Sequence, residues 1–387
     1  MKTLFLILLF TTTALPAQVA ELTLLDASTK QPIPNVEAYY THSLNGTITN
    51  EEGKLRIAVE NDTLTLSHIG YATKKIFTDK TFAKATIYLN PQEIQLEEVV
   101  LYNFDLQGKI DYIFNNYNNL YDTKTKILEC TYREKFIRND TLTRLYQLQL
   151  DWWSKFYGLN FKQPLDNNMQ IHLKNTDYAR VSDYKDIANS PKGAHLTTNS
   201  TYPYLFINTY LILIRECKNN IDITKIEKDK EFTKITFNAE NVDKDNKVTM
   251  KLVNSEIYFD KATNAIKRVV FNNKTREKKE DISEKFKIPY TYENKGFSVE
   301  INFSSYKDKL LFSSLFIRAN GAFEYQGKTD IVLIEQSFLR TGLQEGKHIK
   351  KSDRINIEKP FFEYVTPHKQ GEAKFLLTKE EQNFINQ

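Results

Sequence analysis

Two cysteines in 387 residues are too few for the disulfide framework that small exported domains use in place of a large core. Cys130 and Cys217 both lie in apolar-periodic segments, where a buried free thiol is the expected state. Glycine and proline are scarce too, at 12 and 10, which excludes collagen-like and low-complexity organisation. Beyond the first residues no run reaches the ~18 apolar positions of a membrane-spanning helix. Charge of one sign is missing as well: 53 basic residues stand against 49 acidic ones, well mixed along the chain. That is a solvated surface with no basic block, so nucleic acid is not an expected partner.

The common catalytic motifs are absent. There is no G-x-S-x-G elbow, no phosphate-cradling G-x-x-x-x-G-K and no G-x-G-x-x-G. The six histidines, at 42, 68, 172, 195, 348 and 368, include no H-E-x-x-H and no i, i+4 pair on an expected helix. A zinc site built from local spacing is therefore not expected, nor any other metal or cofactor. Cys130 has Arg133 near it in sequence but no identifiable base, so a core residue is favoured over a nucleophile. Glu129 with Glu134, or Asp151 with Glu256, could pair as carboxylates, but among 49 acids such pairs are cheap. Asp151-Trp152-Trp153 is the best sugar-stacking candidate. The plainer expectation puts Trp152 inside and Trp153 at the rim of a sheet. No catalytic, cofactor-binding or metal-binding residue is assigned.

What the chain does have is aromatic content, 22 Tyr and 25 Phe, which favours sheet over helix. At the start, Lys2 precedes an apolar stretch over 3–15 and small residues at Ala14 and Ala17. This pattern reads as a secretory signal peptide over 1–17, with a mature chain beginning near Gln18.

Residues 18–93 form the first expected unit. Leu22 and Leu24 suggest a strand closed by a polar turn over 26–31. Pro32 and Pro34 fix φ and withhold donors, which suits entry into a strand but not its middle. The segment 50–53 reads as a hairpin turn with Gly53 at positive φ. Leu55, Ile57, Leu64 and Leu66 then alternate with polar neighbours. Short strands at this spacing predict a β-sandwich of about seven strands. The residues Asp26, Pro32, Pro34, Asn35, Val36, Thr49, Asn50, Gly53, Ile69, Gly70 and Tyr71, followed by L-E-E-V-V at 96–100, resemble the carboxypeptidase-like regulatory domain of exported Bacteroidota proteins. The resemblance covers roughly this unit alone. It implies a transthyretin-like sandwich ahead of an outer-membrane receptor or a periplasmic domain, and the family's name implies no peptidase.

A linker over 94–104 leads to the second unit, 105–387. Asp105 is a plausible N-cap. Leu106, Ile110, Ile113, Phe114, Tyr117, Leu120 and Tyr121 follow at helical spacing. Long strands come next, with Tyr146, Leu148, Leu150 and Trp152 on one face, and later Phe297, Val299, Ile301 and Phe303. The apolar segment 204–217 reads as a buried helix, 358–365 as an aromatic segment and Thr378 as the start of a terminal helix. The Asn-rich helix around 116–118 with T-Y-R-E-K-F at 131–136 resembles the periplasmic domain that follows such sandwiches. The stretch I-Y-F-D-K-A-T-N-A-I-K-R-V at 257–269 resembles the hairpins of lipoprotein-carrier half-barrels. The fold class is thus mainly β with a few helices, a small sandwich plus a larger antiparallel, half-barrel-like sheet. A TonB-dependent receptor would need more strands than remain after the sandwich, and an integral barrel is disfavoured by the interrupting helices.

The expected function is that of a non-catalytic exported envelope protein. The sandwich would make contacts with envelope or outer-membrane proteins, and the curved sheet would hold a partner segment or an apolar ligand. The alternatives are a periplasmic carrier of lipid or apolar ligand, and an envelope hydrolase with a non-local active site. N-terminal sequencing of the protein from an envelope fraction is expected to begin near Gln18; Met1 intact on cytoplasmic protein would overturn the export reading.

Overall fold

The computed structural model describes residues 18–92, 104–154, 167–181, 210–217, 220–228, 230–245, 247–283, 287–346, 348–357, 359, 361–365 and 376–387. The signal-peptide stretch 1–17, nearly all of the linker 94–104, the front of the 204–217 helix, His195 and His368 lie outside them.

The first unit is a sandwich of seven strands: β1 (Val19–Asp26), β2 (Glu37–Tyr40), β3 (Gly46–Ile48), β4 (Lys54–Ala58), β5 (Asp62–Ser67), β6 (Lys74–Thr78) and β7 (Ala85–Leu89). They form one sheet in the order β4-β1-β7 and another in the order β3-β2-β5-β6. Alternation along each strand sends Ala20, Leu22, Leu24, Ala38, Tyr40, Leu55, Ile57, Leu64 and Leu66 into a single core. The residues between β1 and β2 are wired into it by side chains. Asp26 Oδ1 accepts from the Ser28 and Thr29 amides at 2.7 Å, the Asx turn that ends β1, and its Oδ2 accepts from the Tyr71 hydroxyl at 2.8 Å. These bonds hold the Asp26 carboxyl below its ordinary value. Thr49 Oγ1 donates to the Ile33 carbonyl at 2.7 Å and accepts from the Val36 amide at 2.9 Å, so the Pro32–Pro34 segment, which has few amides of its own, is satisfied from outside.

The turn over 50–53 differs from the expected hairpin. Gly53 is at φ +69° and its amide donates to the Asn50 carbonyl at 2.9 Å, yet β3 and β4 belong to different sheets. The turn is a crossing between sheets. It lies on β1, whose Leu24 amide donates to the Gly53 carbonyl at 2.7 Å, and a Cβ on Gly53 would sit 2.5 Å from the Leu24 carbonyl oxygen.

The second unit begins with α1 (Leu106–Leu120), capped by Asp105 Oδ1 accepting from the Gly108 amide at 2.7 Å. Eleven strands follow: β8 (Lys126–Arg138), β9 (Thr141–Ser154), β10 (Met169–Val181), β11 (Ile221–Lys228), β12 (Phe232–Val242), β13 (Val248–Asp260), β14 (Ile266–Asn273), β15 (Glu277–Ile282), β16 (Pro289–Tyr306), β17 (Lys309–Tyr325) and β18 (Lys328–Gln344). Helix α2 (Ile212–Cys217) precedes β11, and α3 (Lys379–Asn386) ends the chain. The sheet order is β10-β9-β8-β18-β17-β16-β14-β13-β12-β11, with β15 also paired to β16. The sheet is antiparallel and open, not a closed barrel. Asn139 and Asp140, both at positive φ, make the tight β8–β9 turn.

One face collects Leu128, Tyr146, Leu148, Leu150, Trp152, Val299, Ile301 and Phe303 in the main core, with Phe297 packed at its edge. Helix α1 lays Leu106, Ile110, Ile113 and Tyr117 on this face, and α2 adds Ile214 and Cys217. Tyr210 stacks on Phe271 at 4.8 Å, and Phe361, in a short 3-10 turn (Phe361–Tyr364), packs on Tyr132 at 4.4 Å.

Gly53→Val is expected to destabilise the sandwich by about 1–3 kcal/mol, because it forces a β-branched residue to positive φ against a backbone oxygen. Thermal melting of the full chain checks this; an unchanged melt would contradict the turn geometry.

Candidate functional site: the joint between sandwich and sheet

The opposite, convex face of the sheet is polar, and it carries the sandwich and α3. A ladder of side chains crosses it strand by strand. Glu227 on β11 takes Lys225 at 2.7 Å and Lys234 of β12 at 3.3 Å. Lys234 reaches Glu256 of β13 at 2.7 Å, which accepts from the Tyr258 hydroxyl at 2.8 Å. Arg268 of β14 lies over the Tyr258 ring and pairs with Glu300 of β16 at 2.9 Å. Asn302 donates to Glu300 and to Ser314 Oγ of β17, both at 2.9 Å, and the Ser314 hydroxyl donates to Glu37 of the sandwich at 2.7 Å.

The ladder therefore ends under β2. Burial pushes the Glu37 carboxyl up, against the opposing hydrogen bonds from Ser314 and Ser313. Beside it Arg340 is 5% exposed; its Nε donates to the Phe312 carbonyl at 2.8 Å and its Nη2 to Ser304 Oγ at 2.7 Å. Burial pulls the Arg340 guanidinium below its ordinary value, with Glu37 opposing. A small apolar seat, Ile48 against Leu339 and Phe316, flanks this pair. On one side of the seat a cavity of about 130 Å³ is lined by His68, Tyr71, Tyr258, Arg268 and Glu300. Burial holds the His68 imidazole below its ordinary value, with Arg268 adding to the effect, so this cleft is lined by a neutral histidine at neutral pH. On the other side lies a cavity of about 340 Å³ lined by Ile48, Asn50, Glu51, Arg133, Lys135 and Leu376.

Near the β8–β10 edge α3 closes the joint. Its N-cap Thr378 and Glu381 form a capping box. Glu381, 2% exposed, lies 2.5 Å from Arg133 and 3.0 Å from Lys135, and Lys135 also reaches Glu51 of the sandwich at 3.4 Å. The Asn50 side-chain amide donates to the Leu376 carbonyl at 3.4 Å, and the Lys379 amide to Glu52 at 3.3 Å.

The residues singled out in sequence are placed as follows. Glu129 and Glu134 face opposite sides of β8, an odd number of positions apart. Glu134 lies in the core face, 2.8 Å from Arg144 and bonded by Tyr132 and Gln336. Asp151 and Glu256 are on β9 and β13, with five strands between them. A carboxylate pair the sheet does form is Glu129 with Asp151, register partners bridged by Lys174 at 3.6 and 3.3 Å. That pairing depends on the register of three strands, so local spacing gives no sign of it. Cys130 and Arg133 are on opposite faces of β8, and both cysteines are buried; burial pushes the Cys217 thiol up to about 11. Trp152 is in the core, and Trp153, the penultimate residue of β9, stands at the end of the sheet but is covered. It is 2% exposed, packed beneath His348 at 4.6 Å, because 348–355 folds back along the edge of β10, where the Ile355 amide donates to the Ile171 carbonyl at 3.0 Å. Neither indole offers a face to a sugar. Among the described residues no cluster of His, Cys, Asp and Glu is arranged to hold a metal ion, and no helix is long and apolar enough to cross a membrane.

Burial alone would raise the Glu381 carboxyl, but Arg133 and Lys135 outweigh it and hold it below its ordinary value of 4.5. A depressed carboxylate adds stability that is fully present above the unfolded value and is lost as pH falls through the folded one. The stability difference between the parent and Glu381→Gln should therefore be largest near neutral pH and shrink on acidification through the carboxylate range. Melting curves of both proteins across that range check it, and a constant difference would contradict the assignment.

No curated protein matches this chain. Among solved structures, a LolA superfamily protein from Nitrosomonas europaea aligns at 9% identity over 64% of this chain and 94% of that one, with a TM-score of 0.22. A Bacteroides fragilis protein described as membrane-associated and of unknown function aligns at 6% identity over 84% and 98%, with a TM-score of 0.15. The sandwich is matched by a family: residues 23–101 fit the CarboxypepD_reg-like domain.

Proposed function

We propose that the chain is a non-catalytic, exported cell-envelope protein of the Bacteroidota type that works by protein contact. Its parts would be a signal peptide over 1–17, the regulatory-like sandwich over 18–93, a linker over 94–104 and the sheet unit over 105–387. It would reside in the periplasm or against the outer membrane.

The observation that carries this reading is the occupancy of the concave face. Among the described residues, the apolar side chains a carrier would turn toward its cargo are already covered by α1, α2 and the 3-10 turn (Phe361–Tyr364). Trp152 is 2% exposed and Tyr146, Leu148 and Ile301 are fully buried. Among the described residues this face shows no berth for an acyl chain, which needs a cavity of several hundred Å³, on the order of 300–1,000. The polar groups are instead spread over the convex face, where they fasten the sandwich to the sheet. The outer surface of the sandwich adds Phe77, 66% exposed, and Tyr88, 43% exposed, both on edge strands. Exposed aromatics of this kind suit a protein partner. The charged pairs in the joint are engaged with one another, and their ion-pair geometry accounts for them without a reaction.

Organic-solvent extraction of the purified protein is expected to yield no lipid, and an apolar fluorescent probe is expected not to bind. Stoichiometric lipid in the extract would overturn this reading in favour of the carrier.

A further inference from the structure

We infer that the groove on the convex face between the 50–53 turn of the sandwich and strands β8–β10 is a peptide-docking site, with the chain's own helix α3 as its resting occupant. The partner that fits it is an acidic helical peptide carrying a capped start, a buried glutamate and a phenylalanine one turn later.

The occupant defines the chemistry. Helix α3 has eight residues and buries two of them, Glu381 and Phe384. Two turns of helix do not persist alone in water, so α3 is held by what it touches. Glu381 reaches down between Arg133 and Lys135, which alternation places on the same face of β8. Phe384 enters an apolar recess between Leu145 and Tyr178. The Arg180 guanidinium covers the phenylalanine ring at 4.9 Å and donates to the Phe384 carbonyl. One anion and one ring anchored in a preformed groove is the helix-in-groove mode of peptide recognition, in which few side chains carry the binding.

A cavity of about 340 Å³ adjoins the groove, lined by Leu376, Arg133 and Lys135 and by Ile48 and Glu51 of the sandwich. A partner segment extending N-terminally from the helix would lie in it and touch both domains at once. The sandwich already bonds the entering chain through Asn50 and Glu52, so its seat on the sheet forms one wall of the site. Displacing α3 would leave Arg133 and Lys135 facing the groove without their buried counter-ion, a cost that an acidic replacement removes.

This inference rests on the protein-contact reading, but its test is separate: lipid in an extract would overturn that reading without altering the groove measurement. The probe is a fluorescein-labelled peptide of residues 376–387, added to the full-length chain. In the parent the tethered helix competes at high effective concentration, so the peptide should bind weakly, whereas Glu381→Lys, which ejects the chain's own helix, should bind it at least ~10-fold more tightly. Adding Lys135→Glu to that variant should abolish the gain. If Glu381→Lys does not fold, judged by its melting curve, Phe384→Ala in the chain opens the same groove by removing the ring. Equal binding by parent and opened variants, or binding indifferent to Lys135→Glu, would overturn the site. Dimerisation of the parent chain by exchange of α3 between copies, seen on a sizing column, would overturn the assignment of a separate partner.

Discussion

An open antiparallel sheet leaves two faces and two edges to be covered, because side chains alternate along every strand and cannot all point inward. Here the eleven strands divide that task by chemistry. The concave face is apolar and is closed by helices α1 and α2 from the same unit. The convex face is a ladder of ion pairs and hydrogen bonds, closed by the sandwich and by α3. The position of the sandwich, the bonding of Glu37 to the sheet and the clefts beside it all follow from this division.

The two covers differ in how they are held. Apolar packing is non-directional and scales with buried area, so the concave side gains from every contact and resists being reopened. The convex joint is directional. The Glu37–Ser314 bond, the Arg340 guanidinium and the Arg133–Glu381–Lys135 cluster each require a specific geometry, and a buried charge deprived of its partner is costly. Contacts of that kind specify where a domain sits more than they glue it in place. They are also the kind that a competing peptide of the same chemistry can replace.

One exception on the concave side fits the same logic. Glu134 and Arg144 form an ion pair inside the core, bonded by Tyr132 and Gln336, with the Arg144 guanidinium over the Phe136 ring. It draws together β8, β9 and β18, the strands through which the start of the second unit meets its end. Replacing one member alone is expected to cost about 3–5 kcal/mol, since the other charge would remain buried.

Much of this architecture was written locally. Alternation of Leu22, Leu24, Leu55, Ile57, Leu64 and Leu66 announced the sandwich, and the 3.6-residue spacing from Leu106 to Tyr121 announced α1 with its Asp105 cap. Tyr146 to Trp152 and Phe297 to Phe303 marked the concave face, because period-2 burial is a property of a strand alone. Strands β10, β11 and β15 escaped that reading. Two bulges and the buried Gln170, Thr176 and Asp177 break the pattern of β10, while all six residues of β15 are exposed. The 50–53 turn was legible as a turn but not as a crossing between sheets, since turn chemistry records φ and not the strand that the next segment will pair with. The joint was not legible at all. Glu37, Ser314, Arg340 and Glu381 lie far apart in the sequence, and only the strand order and the docking of one domain on another bring them together. What the sequence by itself determined is which side chains each strand buries; the tertiary structure alone decided which charges meet.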